Sequence, residues 1–151
     1  MSLIKLQYLN EACAGDDELR SDLLAIFVEQ AQSIGDTLAN CLADNNFDLL
    51  ARNAHKFKST ALSLGMTQTA DCLKKIEVIA KKLYVNSDAA GKDDNAKRLY
   101  LSQINGLTPE IDDWTNQNLN TTTLSNLINF CKLHSQQAAQ EAINLINNLA
   151  S

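Results

Sequence analysis

Proline and glycine are scarce in this chain, with one Pro and five Gly among 151 residues. Sandwiches and barrels need many tight turns and are usually richer in both residues, whereas long helices need few. Hydrophobic residues make up 45% of the sequence, and the length is sufficient to bury one core. The composition therefore predicts an all-α protein that folds around a single core.

Basic residues are also fewer than acidic ones. The chain has 13 Lys and Arg and 18 Asp and Glu, which gives a net charge of -5. Binding to nucleic acid requires a basic surface that neutralises phosphates, so we predict no nucleic-acid partner. No apolar run approaches the roughly 18 residues that can span a bilayer. The N-terminal "MSLIKLQYL" lacks the layout of a cleavable signal. These observations predict a cytoplasmic protein with no membrane contact.

The four cysteines show no C-x-x-C spacing and lie among apolar neighbours in helix-like segments. This pattern favours buried, reduced thiols over a metal or redox centre. A metal or haem bundle would in addition need inward Glu-x-x-His pairs, and the sequence has none. We therefore expect no metal and no cofactor. The cysteines are Cys13, Cys41, Cys72 and Cys131.

Apolar residues recur every three or four positions over most of the chain, which predicts amphipathic helices. Gly106 and Pro109 interrupt the fifth stripe, so that segment is either one kinked helix or two pieces. The last segment is either continuous or broken near Ser135. The predicted helices span about 2–13, 17–43, 46–64, 66–83, 94–118 and 120–151.

Short connections between long amphipathic helices predict an up-down antiparallel four-helix bundle preceded by a short N-terminal helix. The helices between residues 17 and 118 suffice to close such a bundle. We therefore expect residues 1–119 to form the bundle and residues 120–151 to be a helical extension packed on it. A chain ending at Asn118 should then still fold, with a lower melting temperature. The apolar stripe of the extension comprises Leu124, Ile128, Cys131, Ala138, Ala142, Leu145 and Leu149.

The third predicted helix carries His55, one of two histidines in the chain. Its apolar stripe places His55 on the opposite, solvent-facing side, with Lys58 one turn later. A neutral imidazole offers a lone pair as a nucleophile, and a nearby ammonium could hold an anion formed on it. Taken alone, however, an exposed helical histidine is more often an ordinary surface residue.

The stretch "AHKFKSTALSLGM", residues 54–66, resembles the signature of histidine-containing phosphotransfer (Hpt) domains, roughly A-H-x-[LF]-K-[GS]-[SAT] followed by Leu-Gly. The upstream "LNEACAGDDELRSDLLAIFVEQA" and the downstream "ADCLKKIE" are similar to the flanking helices of that family. The resemblance covers residues 1–85 well and 86–119 through helical pattern alone. Ser59 departs from it, since glycine is commonest at that position. The matching signature residues are Ala54, His55, Phe57, Lys58, Leu64 and Gly65.

This resemblance implies that His55 accepts a phosphoryl group from a receiver-domain phospho-aspartate and passes it to a second receiver. Lys58, with Lys56, would supply positive charge to the phosphoryl oxygens. Glu77 aligns with a position that supports the histidine by hydrogen bonding in family members, although a solvated glutamate is an equal interpretation. The expected docking face for the receiver comprises Ala51, Lys56, Ser59 and Leu62.

The implied partners are receiver domains of a hybrid sensor kinase and of a downstream response regulator. The protein would act as a monomeric carrier rather than an enzyme, with Mg²⁺ supplied by the receiver. The alternative is an Hpt-like docking module that binds a receiver or kinase without being phosphorylated, although such members usually lack the histidine. His134, in "CKLHSQQ", has no lysine one turn later and is interpreted as structural.

Overall fold

The computed structural model describes residues 2–87 and 94–150, without the side chains of residues 94, 149 and 150. Within these ranges the chain is all-α. The middle of the predicted loop after the fourth helix, residues 88–93, and the side chain of Leu149 lie outside the described residues. The helices are α1 Leu6–Cys13, α2 Asp17–Ala43, α3 Phe47–Ser63, α4 Thr67–Val85, α5 Asp94–Asn105, α6 Pro109–Gln117 and α7 Thr121–Ala150.

Side-chain caps set the starts of several helices. The carboxylate of Asp16 accepts the backbone N–H of Leu19 at 3.1 Å, and the Asn46 side chain accepts that of Leu49 at 3.1 Å. Each cap satisfies a backbone donor that the first helical turn leaves unpaired. Gly65, with φ +71°, forms the tight turn between α3 and α4. This turn makes the two helices antiparallel and brings the face of α4 beside His55.

The four-helix bundle consists of α2, α3, α4 and α7, with the most extensive packing between α2 and α7 and between α3 and α4. The expectation that the helices between residues 17 and 118 close the bundle is therefore wrong. Helix α7 has 30 residues and matches the 27 of α2, whereas α5 and α6 are short. The buried residues of α7 lie along one stripe: Leu124, Ile128, Cys131, Ser135, Ala138, Ala139 and Ala142.

Helices α5 and α6 pack on α4 outside the four bundle helices. They are the two pieces that Gly106 and Pro109 allowed, and Pro109 is the first residue of α6 after the Thr108 cap. Helix α7 runs unbroken through Ser135, whose side chain is fully buried. The predicted boundary between residues 119 and 120 falls between α6 and α7 and stays a prediction.

The N-terminal helix is shorter than expected, because it begins at Leu6 rather than near Ser2. Residues 2–5 instead lead across the end of the bundle, with Ile4 2% exposed and the Lys5 N–H donating to the carbonyl of Leu64 at 2.9 Å. This segment closes the end of the bundle where α3 turns into α4.

All four cysteines are free and buried, as the sequence predicts. Burial raises the pKa of Cys72 to about 12 and that of Cys131 to about 11, so both remain thiols at neutral pH. In the part of the chain that the structure describes, no helix is both long enough and apolar enough to cross a bilayer.

Candidate functional site

His55 lies near the middle of α3, and 62% of its side chain is exposed. Its Nδ1 atom lies 3.2 Å from each carboxylate oxygen of Glu77, a residue of α4 whose side chain is 6% exposed. A carboxylate accepts hydrogen bonds and cannot donate them, so Nδ1 carries the hydrogen in the neutral imidazole. The ring is thereby held as the tautomer whose Nε2 atom keeps its lone pair.

Two lysines neutralise the buried carboxylate. The Nζ of Lys58 donates to Oε1 of Glu77 at 3.0 Å, and the Nζ of Lys81 donates to Oε2. Burial acts to raise the pKa of Glu77, but hydrogen bonds and charges from Lys81 and Lys58 outweigh it and leave that pKa below its usual value. Glu77 is therefore an anion at neutral pH, compensated by cations as a buried charge must be.

Helical spacing explains why these four side chains meet. His55 and Lys58 are one turn apart on α3, and Glu77 and Lys81 are one turn apart on α4. The two helices pack closely, and each buries its apolar stripe, which includes Phe57 on α3 and Ile76 on α4. The four polar residues lie beside that stripe, where the packed helices still leave access to solvent. We call them the histidine cluster.

A cleft of about 520 Å³ opens beside the histidine cluster, between α3, α4 and α5. Its walls carry mixed chemistry, with cations from α3 and α4 and an apolar and aromatic contribution from α5. The residues that line it include Arg52, His55, Glu77, Lys81, Leu99 and Tyr100.

A model of the Hpt domain family matches residues 22–114, which is more than half of the chain. The chain belongs to the Hpt domain family. The matched region contains His55, Lys58, Glu77 and Lys81 and ends before α7. Comparisons with curated proteins and with solved structures give no match. Hpt domains are phosphoryl carriers rather than catalysts, and they interact with the receiver domains of response regulators.

The predicted docking residues of this Hpt domain differ in accessibility. Lys56 and Ser59 are exposed, and Leu62 is 49% exposed, so all three are accessible on α3, the helix that carries His55. Ala51 is 1% exposed and lines the cleft beside His55, so it offers little surface of its own, and its docking role stays a prediction. The buried face of α3 is broader than its apolar stripe indicates, because α2 and α4 pack on two sides of the helix.

Sequence reasoning missed Lys81, the second cation on Glu77. Its signal is the spacing of Glu77 and Lys81, four residues apart in "EVIAK", which favours an ion pair along one helix. The two cations predicted from the sequence, Lys56 and Lys58, both lie on α3. His134, by contrast, stacks on Phe130 of its own helix with the ring centroids 3.9 Å apart.

Proposed function

We propose that this Hpt domain is a histidine phosphotransfer protein in which Nε2 of His55 carries the phosphoryl group. The observation that supports this most strongly is the exposed imidazole whose Nδ1–H is held by a buried, ionised Glu77. An orienting carboxylate fixes the tautomer of a reactive histidine and stabilises positive charge that develops on it.

The proposed reaction forms the Nε2–P bond and breaks the bond between phosphorus and the aspartyl oxygen of the receiver. The aspartate leaves as a carboxylate, and no proton has to move, since the hydrogen stays on Nδ1 of His55, which donates it to the Glu77 carboxylate. The imidazole becomes cationic, and the adjacent carboxylate compensates that charge. Transfer to a second receiver is the same reaction in reverse. In-line geometry and the Mg²⁺ site come from the receiver.

Lys58 is suited to hold the transferred group. An ammonium has three N–H donors, and Glu77 takes one of them at 3.0 Å. The side chain is 20% exposed, so it reaches the surface beside His55. We infer that another N–H of Lys58 contacts an equatorial phosphoryl oxygen, and that Lys56 adds charge from the same helix.

The exposed side chains of Lys56, Ser59 and Leu62 form the part of α3 on which we expect a receiver to dock. The partners in this proposal are the receiver of a hybrid sensor kinase and that of a downstream regulator. We propose a cytoplasmic monomer, because one exposed histidine surface suffices for both encounters.

The decisive experiment mixes the protein with a phosphorylated receiver and follows the label. His55→Gln should accept none, while the wild-type chain should carry one acid-labile, base-stable phosphate. His134→Gln is the matched control, since it removes the other histidine and should label like the wild type. Equal labelling of His55→Gln would show that His55 is not the acceptor.

A chase with a second, unphosphorylated receiver separates a relay from the alternative docking function. A carrier should lose its label to the second receiver faster than the phosphohistidine hydrolyses. Tight binding of receivers by the wild-type chain without any transfer of label would instead support a docking module.

A further inference from the structure

Tyr100 of α5 is fixed from several directions although it lies outside the bundle helices. It is 5% exposed, and its ring meets that of Tyr84 edge-on, with centroids 5.5 Å apart and an interplanar angle of 81°. Its hydroxyl donates to Oδ1 of Asp48 on α3. Asp48 is itself bound by Arg52 at 2.9 Å. Helix α5 is thereby connected to both helices of the histidine cluster.

The ring of Tyr100 also confines Lys81. The Nζ of Lys81 lies 5.4 Å from the Tyr100 ring centroid while it donates to Glu77, and its side chain is 12% exposed. An ammonium over an aromatic face is attracted by the ring, more strongly where water is excluded. A lysine has many rotamers, so fixing its end requires contacts on more than one side. Tyr100 and Glu77 provide two of them.

We propose that Tyr100 is a positioning residue for phosphotransfer, holding Lys81 against Glu77 and thereby Glu77 against Nδ1 of His55. The inference rests on the proposed function of His55. Without the ring, Lys81 can turn into the adjacent cleft of about 520 Å³. Glu77 then keeps Lys58 as its remaining close cation, and its carboxylate turns away from the symmetrical contact with Nδ1.

The test compares Tyr100→Leu, which removes the aromatic ring, with Tyr100→Phe, which removes the hydroxyl alone. Leu101→Ala is the control, because Leu101 is 37% exposed on the same helix and takes no part in these contacts. Nitrogen NMR of the His55 ring reports which nitrogen carries the hydrogen, and His134 serves as the internal reference. Transfer rates from a phosphorylated receiver are measured in parallel.

We expect Tyr100→Leu to shift His55 from the Nδ1–H form to a mixture of tautomers. Transfer should slow by roughly threefold to tenfold, the effect expected from losing the contribution of about one hydrogen bond. Tyr100→Phe and Leu101→Ala should keep the wild-type tautomer. A folded Tyr100→Leu protein with an unchanged tautomer would overturn the inference.

Lys81→Met provides a second route to the same answer if Tyr100→Leu does not fold. It removes the charge that Tyr100 confines and should produce the same tautomer shift, whereas an unchanged tautomer there would also overturn the inference. The NMR measurement needs no phosphate. Failure of His55 to take phosphate from any receiver would overturn the proposed function separately.

Discussion

The two helix pairs with the most extensive packing in the bundle, α3–α4 and α2–α7, differ in the kind of residues that they bring together. The α3–α4 pair adds the charged histidine cluster to its apolar stripe, and the Hpt match covers all of it. The α2–α7 pair is apolar along most of its length, and α7 lies beyond the match. Gly35 of α2 leaves no room for a side chain, because a Cβ there would lie 2.7 Å from Cβ of Lys132 on α7.

This difference shows that a polar site restricts the amino-acid sequence of a helix pair more narrowly than packing does. A histidine cluster requires particular side chains at fixed spacings, so the α3–α4 pair has a recognisable motif. A packing surface requires only apolar residues of suitable volume at helical intervals, and many sequences meet that requirement. The α2–α7 pair therefore contributes stability without a signature.

Removing α7 should have the largest effect. A chain ending at Asn118 would expose the apolar faces of α2 and α4 that α7 covers, so we now expect it to be unfolded and unable to accept phosphate. Far-UV circular dichroism and receiver-dependent labelling measure the two properties. A cooperative melt with normal labelling would restore the view that residues 1–119 fold independently.

Leu124→Ala should weaken the packing of α7 on the bundle while leaving the histidine cluster of the α3–α4 pair intact. Leu124 is fully buried on α7, and a large-to-small change of this kind lowers the free energy of unfolding by roughly 2–5 kcal/mol. Denaturant unfolding measures the loss. Below the unfolding transition, the phosphohistidine lifetime should equal that of the wild type; a shortened lifetime would mean that the two pairs are coupled.

Glu77→Gln should change the pH dependence of stability more than it changes transfer. The pKa of Glu77 is below its ordinary value of 4.5 in the fold, so its contribution is present above that value and is lost as pH falls through the folded pKa. The wild type should therefore lose its stability advantage over Glu77→Gln on acidification, as measured by unfolding between neutral and acidic pH.

The same position also tests orientation of the ring. Glutamine retains a carbonyl oxygen that can accept Nδ1–H, so Glu77→Gln should still be labelled, whereas Glu77→Ala should transfer roughly tenfold more slowly. Equal rates for the two variants would argue against orientation of the ring by residue 77.

Lys58→Ala should have the smallest effect on folding. Its side chain is partly exposed and Lys81 remains on Glu77, so the carboxylate is still compensated, and the loss of stability should be smaller than that of Leu124→Ala. Transfer should nevertheless slow, or the phosphohistidine should hydrolyse faster. Lys74→Ala, an exposed lysine on α4, is the control. An unchanged rate and lifetime in Lys58→Ala would remove Lys58 from the proposed mechanism.

The sequence predicted the features that depend on local periodicity. The span of α2, the exposure of His55 on α3 and the all-α class follow from apolar stripes and caps that each helix contains within itself. The resemblance of the next helix to the family added Glu77, whose contact with His55 spans 22 positions in the chain.

Features that depend on which helices become neighbours were not predictable in this way. The stripes of α5, α6 and α7 are all apolar, and periodicity does not say which of them fills the fourth position. Ala51 is buried because of the neighbours of α3, not because of its own residue type. Lys81 and Tyr100 meet only after α5 has packed on α4.

The ring of His55 has one nitrogen committed to Glu77 and therefore one nitrogen left for chemistry. In the proposed relay, donor and acceptor receivers must occupy the same small area of α3 in turn. The kinetics should then follow a double-displacement scheme in which each receiver is a competitive inhibitor of the other. The rate of phosphoryl transfer through His55 would pass through a maximum and then decline as either receiver is overproduced. The cellular ratio of donor to acceptor receiver would therefore control that rate.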